Sequence, residues 1–583
     1  MFKLTKKYIF KFSIFYLLIL ILLLAESGFT LWMPYIIKDT IDKGVNTLNF
    51  NITLKYSLLL LFATFSYAIL SILSSYVLVY LETRIIADLR NTVFKHILNF
   101  SFNNINDFPN STLFTRITSD TSNVGIYIAT IILLYIYYPL IILLSMYMLY
   151  KIHSRLTLIF IFAAPLIIFI LLLFLKYFLP IFKTIQKTKD KINNFIEENI
   201  SLIKEIKSYT KEQKEIKKFE KINHEYMSVF QKSVFRIIFF MLILEIGFVF
   251  LNILVVKNST IYILEGSLSV GDLIAYTSII SILLNTFFSF VTELENSIMP
   301  AFPSSKRIVE ILNTKPDILE VRNAIKTFDN YDIEFKNVFF KYPQSENFVL
   351  KDISFKLKTG ESLGIIGQIG SGKSSIIQLI PRFYDATQGK ILIGGKDIKK
   401  YDISSLENII SAVFQDISIF SQSVYENITF KHDDNITDSD LEKVNNILKD
   451  CSLEEVVSNL DNGIHTKLSE EGKNLSGGQK QRLALARALY NDFKILILDD
   501  TTSAIDKITE KNIQNILNTK YTNVSKIIIS QKISSIISCD KILVLNSEGK
   551  IDGIGTHTEL INTSKIYREI YSVQSNVLRR DDV

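Results

Sequence analysis

Six stretches of the first 300 residues, at about 12–37, 55–81, 126–150, 156–178, 236–262 and 271–294, are nearly free of charge and rich in Leu, Ile, Phe and Tyr. A helix needs about 20 mostly apolar residues to cross a bilayer, and each stretch meets or exceeds that. This restricts the first half to a multi-pass helical membrane domain, because a lipid-exposed backbone must satisfy its own hydrogen bonds. Overall, 48% of the chain is hydrophobic, and these residues are concentrated in that half. The first stretch is too long for a signal peptide and is followed by no small-residue cleavage site, so it is expected to be retained as an anchor.

Six crossings place both ends of the chain on one side. Basic residues say which side. Lys3, Lys6, Lys7 and Lys11 precede the first stretch, Arg84, Arg90, Lys95 and Arg116 follow the second, and a Lys-rich run from Lys183 to Lys232 follows the fourth. The opposite loops are short and carry only Lys38, Lys43, Lys151 and Arg155. The N-terminus, both long loops and the C-terminal half are therefore expected to be cytoplasmic, as for a multi-pass protein of a bacterial cytoplasmic membrane. The net charge of +6 is spread along the chain, which argues against a nucleic-acid-binding face. Cys451 and Cys539 are the only cysteines, stand in no metal-ligand spacing, and read as reduced cytosolic thiols.

The two inner loops, 82–125 and 179–235, keep helical periodicity with polar faces and contain only Pro109 and Pro180. They are expected to prolong the spans into the cytoplasm. Glu26 and Glu245 fall near the middle of the first and fifth spans. A charge on the lipid face costs about 3 kcal/mol, so both should face the bundle interior. Two roles stay open for them: a structural carboxyl hydrogen-bonded between helices, or a wall of a cavity for cationic amphipathic substrate. Lys176, near the inner end of the fourth span, is expected to snorkel.

Residues 303–330 form a polar connector, and from 331 short apolar strands alternate with helices. "ESLGIIGQIGSGKSSIIQLI" (361–380) is a strand, a glycine loop and a helix, and Gly367 to Ser374 fits G-x-x-x-x-G-K-[ST]. Backbone N–H groups around Gly367, Gly370, Ser371 and Gly372 would cradle phosphates. Lys373 would reach the β/γ oxygens and Ser374 would hold Mg²⁺, with Ser375 completing the turn. Asp499 ends the apolar run "KILILD", as a carboxylate that holds Mg²⁺ through water would. "LSGGQKQRLALARALY" (475–490) sets Ser476, Gly477, Gly478 and Gln479 at the start of a helix. That is an anion site, or simply a capped helix end.

Taken together, these strings resemble the ABC transporter ATPases, whose signature is "LSGGQ". Tyr342 in "FKYP" matches the family's adenine-stacking aromatic, Gln415 in "VFQD" its Q-loop, and "SAID" (503–506) its D-loop. "SEEGKN" (469–474) resembles the loop that senses the membrane domains, although Ser469 stands where the family has Gly. The six-span half is similar to multidrug-type ABC exporters, which implies a membrane domain over 1–302, a connector over 303–330 and an α/β P-loop ATPase over 331–583, with ATP and Mg²⁺ as cofactors. It also implies short coupling helices, expected within 108–122 and 200–213. One signature faces the P-loop of another ATPase domain, so the chain is expected to be a half-transporter that pairs with a second half. The cargo is left open among amphipathic drugs, lipids and peptides.

Two positions depart from the family pattern. Asp500 stands where the catalytic Glu is usual, and Gln531 stands where the switch His is usual. Asp is shorter by one methylene, about 1.5 Å. A misplacement of about 1 Å costs a factor on the order of 100, and general-base assistance is worth roughly 10²–10⁴. The amide of Gln531 donates a hydrogen bond but carries neither the charge nor the proton of an imidazole. These features resemble the subunit of heterodimeric ABC exporters that supplies the degenerate nucleotide site. A slow homodimer, or an ATP-gated regulator that does not pump, remains the alternative.

Overall fold

The computed structural model describes residues 2–158, 176, 184–185, 187–433 and 436–581. The chain divides into two compact units, one of Met1–Leu98 and Ser111–Asn313, the other of Asn99–Asn110 and Thr314–Val583.

The first unit is helical. Among the described residues, five helical stretches are long and apolar enough to cross a bilayer: Ser13–Val45, Phe50–Leu98, Ser111–Ile152, Glu212–Leu264 and Val270–Asn313. They contain the first, second, third, fifth and sixth stretches expected from sequence. The fourth, 156–178, lies almost wholly outside the described residues. Phe50–Leu98 and Glu212–Leu264 contain 49 and 53 residues. At 1.5 Å per residue the longer measures about 80 Å, against about 30 Å of hydrocarbon, so each continues far beyond the bilayer as one helix. The last helix likewise runs on through Pro303 to Asn313. Leu58, Leu61, Phe62, Phe65 and Ile72 are exposed along one helix, an arrangement suited to lipid rather than water. On the polar extensions, the buried carboxylate of Asp120 accepts from Ser304 Oγ (2.7 Å) and Arg307 Nε (2.7 Å), tying the start of the third span's helix to the last helix.

The second unit holds two sheets. Strands β1 (Ile333–Phe340), β2 (Leu350–Leu357), β4 (Gln388–Ile393) and β5 (Lys396–Asp397) make an antiparallel sheet in the order β2-β1-β4-β5. Strands β3 (Ser362–Gly367), β6 (Ile410–Val413), β7 (Ile495–Asp499), β8 (Ser525–Ile529), β9 (Lys541–Leu545) and β10 (Ile551–Gly555) make the second, in the order β10-β9-β3-β8-β7-β6. From β9 to β6 it is parallel, and β10 closes one edge antiparallel to β9. β3 and β7 read as unbroken apolar runs because both of their faces are covered. A separate apolar core, including Tyr425, Val444, Leu448, Leu483 and Leu485, lies under the helix Gly477–Tyr490.

A short segment from the membrane half belongs to this second unit. Ser101 caps the helix Phe102–Asp107 through a capping box with Asn104. The Phe102 ring stacks on Phe383 with centroids 4.3 Å apart, Asn106 Nδ2 donates to the Tyr384 hydroxyl (3.0 Å), and Gln344 Nε2 donates to Asp107 Oδ1 (2.8 Å). The expected 108–122 window also holds a helix, Asn110–Thr115, but these contacts are made by the helix just before that window. Phe108 takes an extended conformation ahead of Pro109, as a residue before proline prefers, so the helix Phe102–Asp107 ends there and Asn110–Thr115 starts after Pro109. Inside the 200–213 window the helix Ile203–Ser208 forms with none of its residues buried.

A candidate nucleotide site at the carboxyl edge of the sheet

Four loops leave the carboxyl ends of adjacent parallel strands. The P-loop follows β3, residues 530–535 follow β8, Asp499 ends β7 with Asp500 just beyond it, and Gln415 lies two residues beyond β6. The register fixes their order, with Ile365 opposite Ile529, Ile529 opposite Asp499, and Leu498 opposite Val413. In open α/β sheets this edge is where ligands bind. In the sheet, β8 runs between β3 and β7. Ser374 Oγ nevertheless reaches Asp499 Oδ2 at 3.3 Å.

In the P-loop, Gly372 has φ +90°, a left-handed turn that glycine adopts without strain. Gly367 is held so close to β9 that a Cβ there would lie 2.5 Å from the Leu545 carbonyl oxygen. Gly370 and Ser374 are exposed, whereas Ser371 and Ser375 are buried. Lys373 Nζ donates to the carbonyls of Gly367 (2.9 Å) and Gln368 (2.8 Å). Burial lowers the Lys373 pKa, and the Asp499 and Asp500 carboxylates oppose that shift. Asp499 is 5% exposed, and burial raises its pKa. A hydroxyl, a carboxylate and an ammonium facing one glycine loop form the donor set that a Mg²⁺-nucleotide requires. Tyr342 is half-buried edge-on to Tyr384, and its hydroxyl bonds to Ser375 Oγ (2.9 Å) and Gln378 Oε1 (3.0 Å).

Gln415 and Gln531 are exposed. Asp500 has φ +49°, a left-handed conformation in which Asp is several-fold enriched over most residues, and its N–H donates to the Ile529 carbonyl (2.9 Å).

The turn that opens the signature helix, preceded by the short 3-10 helix Glu470–Gly472, lies elsewhere on the unit. Ser476 caps the helix through a capping box with Gln479, and Ser476 and Gly477 are exposed while Gly478 and Gln479 are half-buried. No hydrogen bond among the described residues joins Ser476–Gln479 to the P-loop of the same chain. Three glutamine or glutamate side chains that sequence reading missed organise the surrounding loops. Gln481 Nε2 donates to Ser503 Oγ (2.9 Å) and its Oε1 accepts from Ala504 N–H (3.0 Å). Buried Glu510 accepts from Thr502 Oγ1 (2.8 Å) and Ser535 Oγ (2.6 Å). Gln574 bonds to the backbone after β8. Their only sequence signal was amphipathic helical spacing, which does not single out a particular polar residue.

In the membrane unit, Glu26 is 6% exposed and accepts from Ser74 Oγ at 3.0 Å, whereas Glu245 is exposed. The structure does not bring them together.

Comparison with known proteins agrees with this architecture. Residues 16–287 match the family model of the ABC transporter transmembrane region and residues 350–503 that of the ABC transporter. An uncharacterized ABC transporter ATP-binding protein of Bacillus subtilis, YfiB, is 31% identical over 95% of both chains. An ATP-dependent lipid A-core flippase of Wigglesworthia glossinidia brevipalpis is 28% identical over 95% of this chain and 94% of its own. A solved bacterial Atm1-family ABC exporter with ATP bound has the same fold, with a TM-score of 0.83 over 97% of this chain at 21% identity.

Proposed function

We propose, for a chain that belongs to the ABC transporter family and has the build of its export half-transporters, that it supplies the slow nucleotide site of a heterodimer. In this reading the complex exports hydrophobic or amphipathic compounds. This chain's signature completes the partner's competent site, while its own P-loop binds ATP and Mg²⁺ and hydrolyses slowly. The observation that carries the reading is the pairing of an intact phosphate cradle with Asp500 and Gln531 at the ends of neighbouring strands. The P-loop, Lys373, Ser374 and Asp499 support nucleotide binding in this reading, whereas Asp500 and Gln531, which replace the family's Glu and His, support slow hydrolysis. The N- and C-termini are cytoplasmic in this reading.

The purified full chain should bind Mg²⁺-ATP yet turn it over at least about 100-fold more slowly than the assembled transporter, the scale of a lost general base. Comparing turnover of the chain alone with that of the complex tests this. Turnover by the chain alone that equals the complex would favour a working homodimer.

Restoring the family residues tests what the slow site lacks. Asp500→Glu combined with Gln531→His should raise ATPase of the heterodimer at most about twofold, the limit if two sites become equivalent. The left-handed backbone at Asp500 suits Asp better than Glu, which reduces the gain. Transport per ATP should not rise, because the slow site acts mainly as an ATP-held hinge that biases the closed dimer. A rise in transport matching the rise in ATPase would remove the hinge.

The two membrane carboxylates should separate. Glu26 already has a hydrogen-bond partner, which supports the structural role, so Glu26→Gln should reduce export of cationic and neutral dyes equally. Glu245→Gln should reduce cationic dyes more, because a cavity charge attracts only them. Equal losses for Glu245→Gln would return it to a structural role.

A further inference from the structure

We propose that Gln574 is a positioning residue that sets the switch segment after β8 and, through it, the side chain of Gln531. This rests on the reading of Gln531 as the group facing the γ-phosphate. Gln574 lies on the C-terminal helix Lys565–Asp581, 43 residues from the segment it grips. Its Nε2 donates to the Gln531 carbonyl (2.7 Å), and its Oε1 accepts from the Ile533 N–H (2.9 Å). One planar amide thus satisfies the C=O of residue 531 and the N–H of residue 533, as a neighbouring strand would. It fixes the peptides on both sides of Lys532. Ser530 Oγ accepts from the Lys532 N–H (3.0 Å), so three successive backbone positions are held.

The helix that carries Gln574 is itself well seated. Tyr567, Ile570 and Tyr571 pack against Ile533, Ile536 and Cys539, and Tyr567 is fully buried with its hydroxyl 2.7 Å from His557 Nδ1. The far end of the switch is held separately, because Ser535 donates to the same Glu510 oxygen as Thr502 of the D-loop stretch. Gln574 is therefore the part of this scaffold that acts on residue 531 directly. The hydrophobic contacts hold the helix whether or not the amide is present, so the two contributions separate experimentally.

The test uses the full chain in lipid nanodiscs. Gln574→Ala should leave the thermal midpoint and the KM for ATP unchanged and lower kcat about tenfold, less than a full 1 Å misplacement would. Amide exchange at residues 531–533, measured with Mg²⁺-ATP bound, should speed up about tenfold on loss of one protecting hydrogen bond. Gln574→Glu, which keeps the acceptor for Ile533 but sets a carboxylate against the Gln531 carbonyl, should give a similar loss. In a Gln531→Ala background, Gln574→Ala should cost nothing further in kcat, because it acts through the missing side chain. Unchanged exchange at 531–533 would overturn the inference, as would an equal rate loss in both backgrounds. A Gln531→Ala chain with normal kcat would overturn the switch reading and this inference with it, whereas slow Gln531→Ala beside normal Gln574→Ala would overturn this inference alone.

Discussion

Gly477→Asp in this chain should stop ATP turnover by the assembled transporter, by a factor on the order of 100 or more, while Asp500→Asn leaves at least about half of it. Ser476 and Gly477 open the signature helix on an exposed surface at the positive end of its dipole, with the Ser476 and Gln479 N–H groups held in the capping box. In the proposed heterodimer this helix start meets the nucleotide of the partner's competent site. An Asp there sets a carboxylate against phosphates. The substitution is well suited to the purpose because it leaves the chain itself intact. A Cβ at Gly477 meets only Ala504 Cβ, at an ordinary 3.7 Å, whereas one at Gly478 would lie 2.7 Å from the Ala504 carbonyl oxygen and displace the D-loop. Ser476→Ala is a poorer choice, since it removes a helix cap worth about 1 kcal/mol as well as a ligand contact. Asp500 belongs to the slow site, so its loss touches a minor share of turnover. If Asp500→Asn abolished ATPase and Gly477→Asp did not, the two sites would be assigned the wrong way round.

Lys373→Ala should weaken ATP binding to this chain by about 30- to 1000-fold, because truncating one partner of a close charge pair costs about 2–4 kcal/mol. Lys373 closes the P-loop on itself through the carbonyls of Gly367 and Gln368, so its loss removes both the cation and the clamp on the loop. Binding of a fluorescent ATP analogue to the full chain measures the effect. Folding should survive, since the loop is also shaped by Gly372 and by the close approach of Gly367 to β9. An affinity within threefold of the parent chain would mean that the P-loop does not hold the nucleotide in the expected way.

Much of this was legible in the sequence because the signals are local. Runs of apolar residues longer than a bilayer, and a glycine loop between an apolar strand and a helix, fix their structures with little help from the rest of the chain. What escaped depends on long-range packing. Nothing near Asp499 reveals that β8 inserts between β7 and β3, since strand order in a parallel sheet is decided by connections many residues long. Nothing local shows that the helix before Pro109, and not the one after it, meets the second, sheet-bearing unit; the contacts of Phe102, Asn106 and Asp107 show it. The left-handed backbone at Asp500 and the grip of Gln574 on residues 531 and 533 follow from tertiary position alone.

The twelve residues 99–110 have a consequence for how such chains can be exchanged between lineages. The chain crosses between its two units three times, after Leu98, after Asn110 and after Asn313, so the ATPase is not a cassette appended to the membrane domain. A recombination that brought in a foreign segment from 314 onward would leave Phe102, Asn106 and Asp107 facing another lineage's counterparts of Phe383, Tyr384 and Gln344. The heritable module is a discontinuous one, two pieces of sequence separated by some 200 residues. Grafts that carry both pieces from one parent should retain a fitted aromatic contact that grafts of the C-terminal piece alone disrupt.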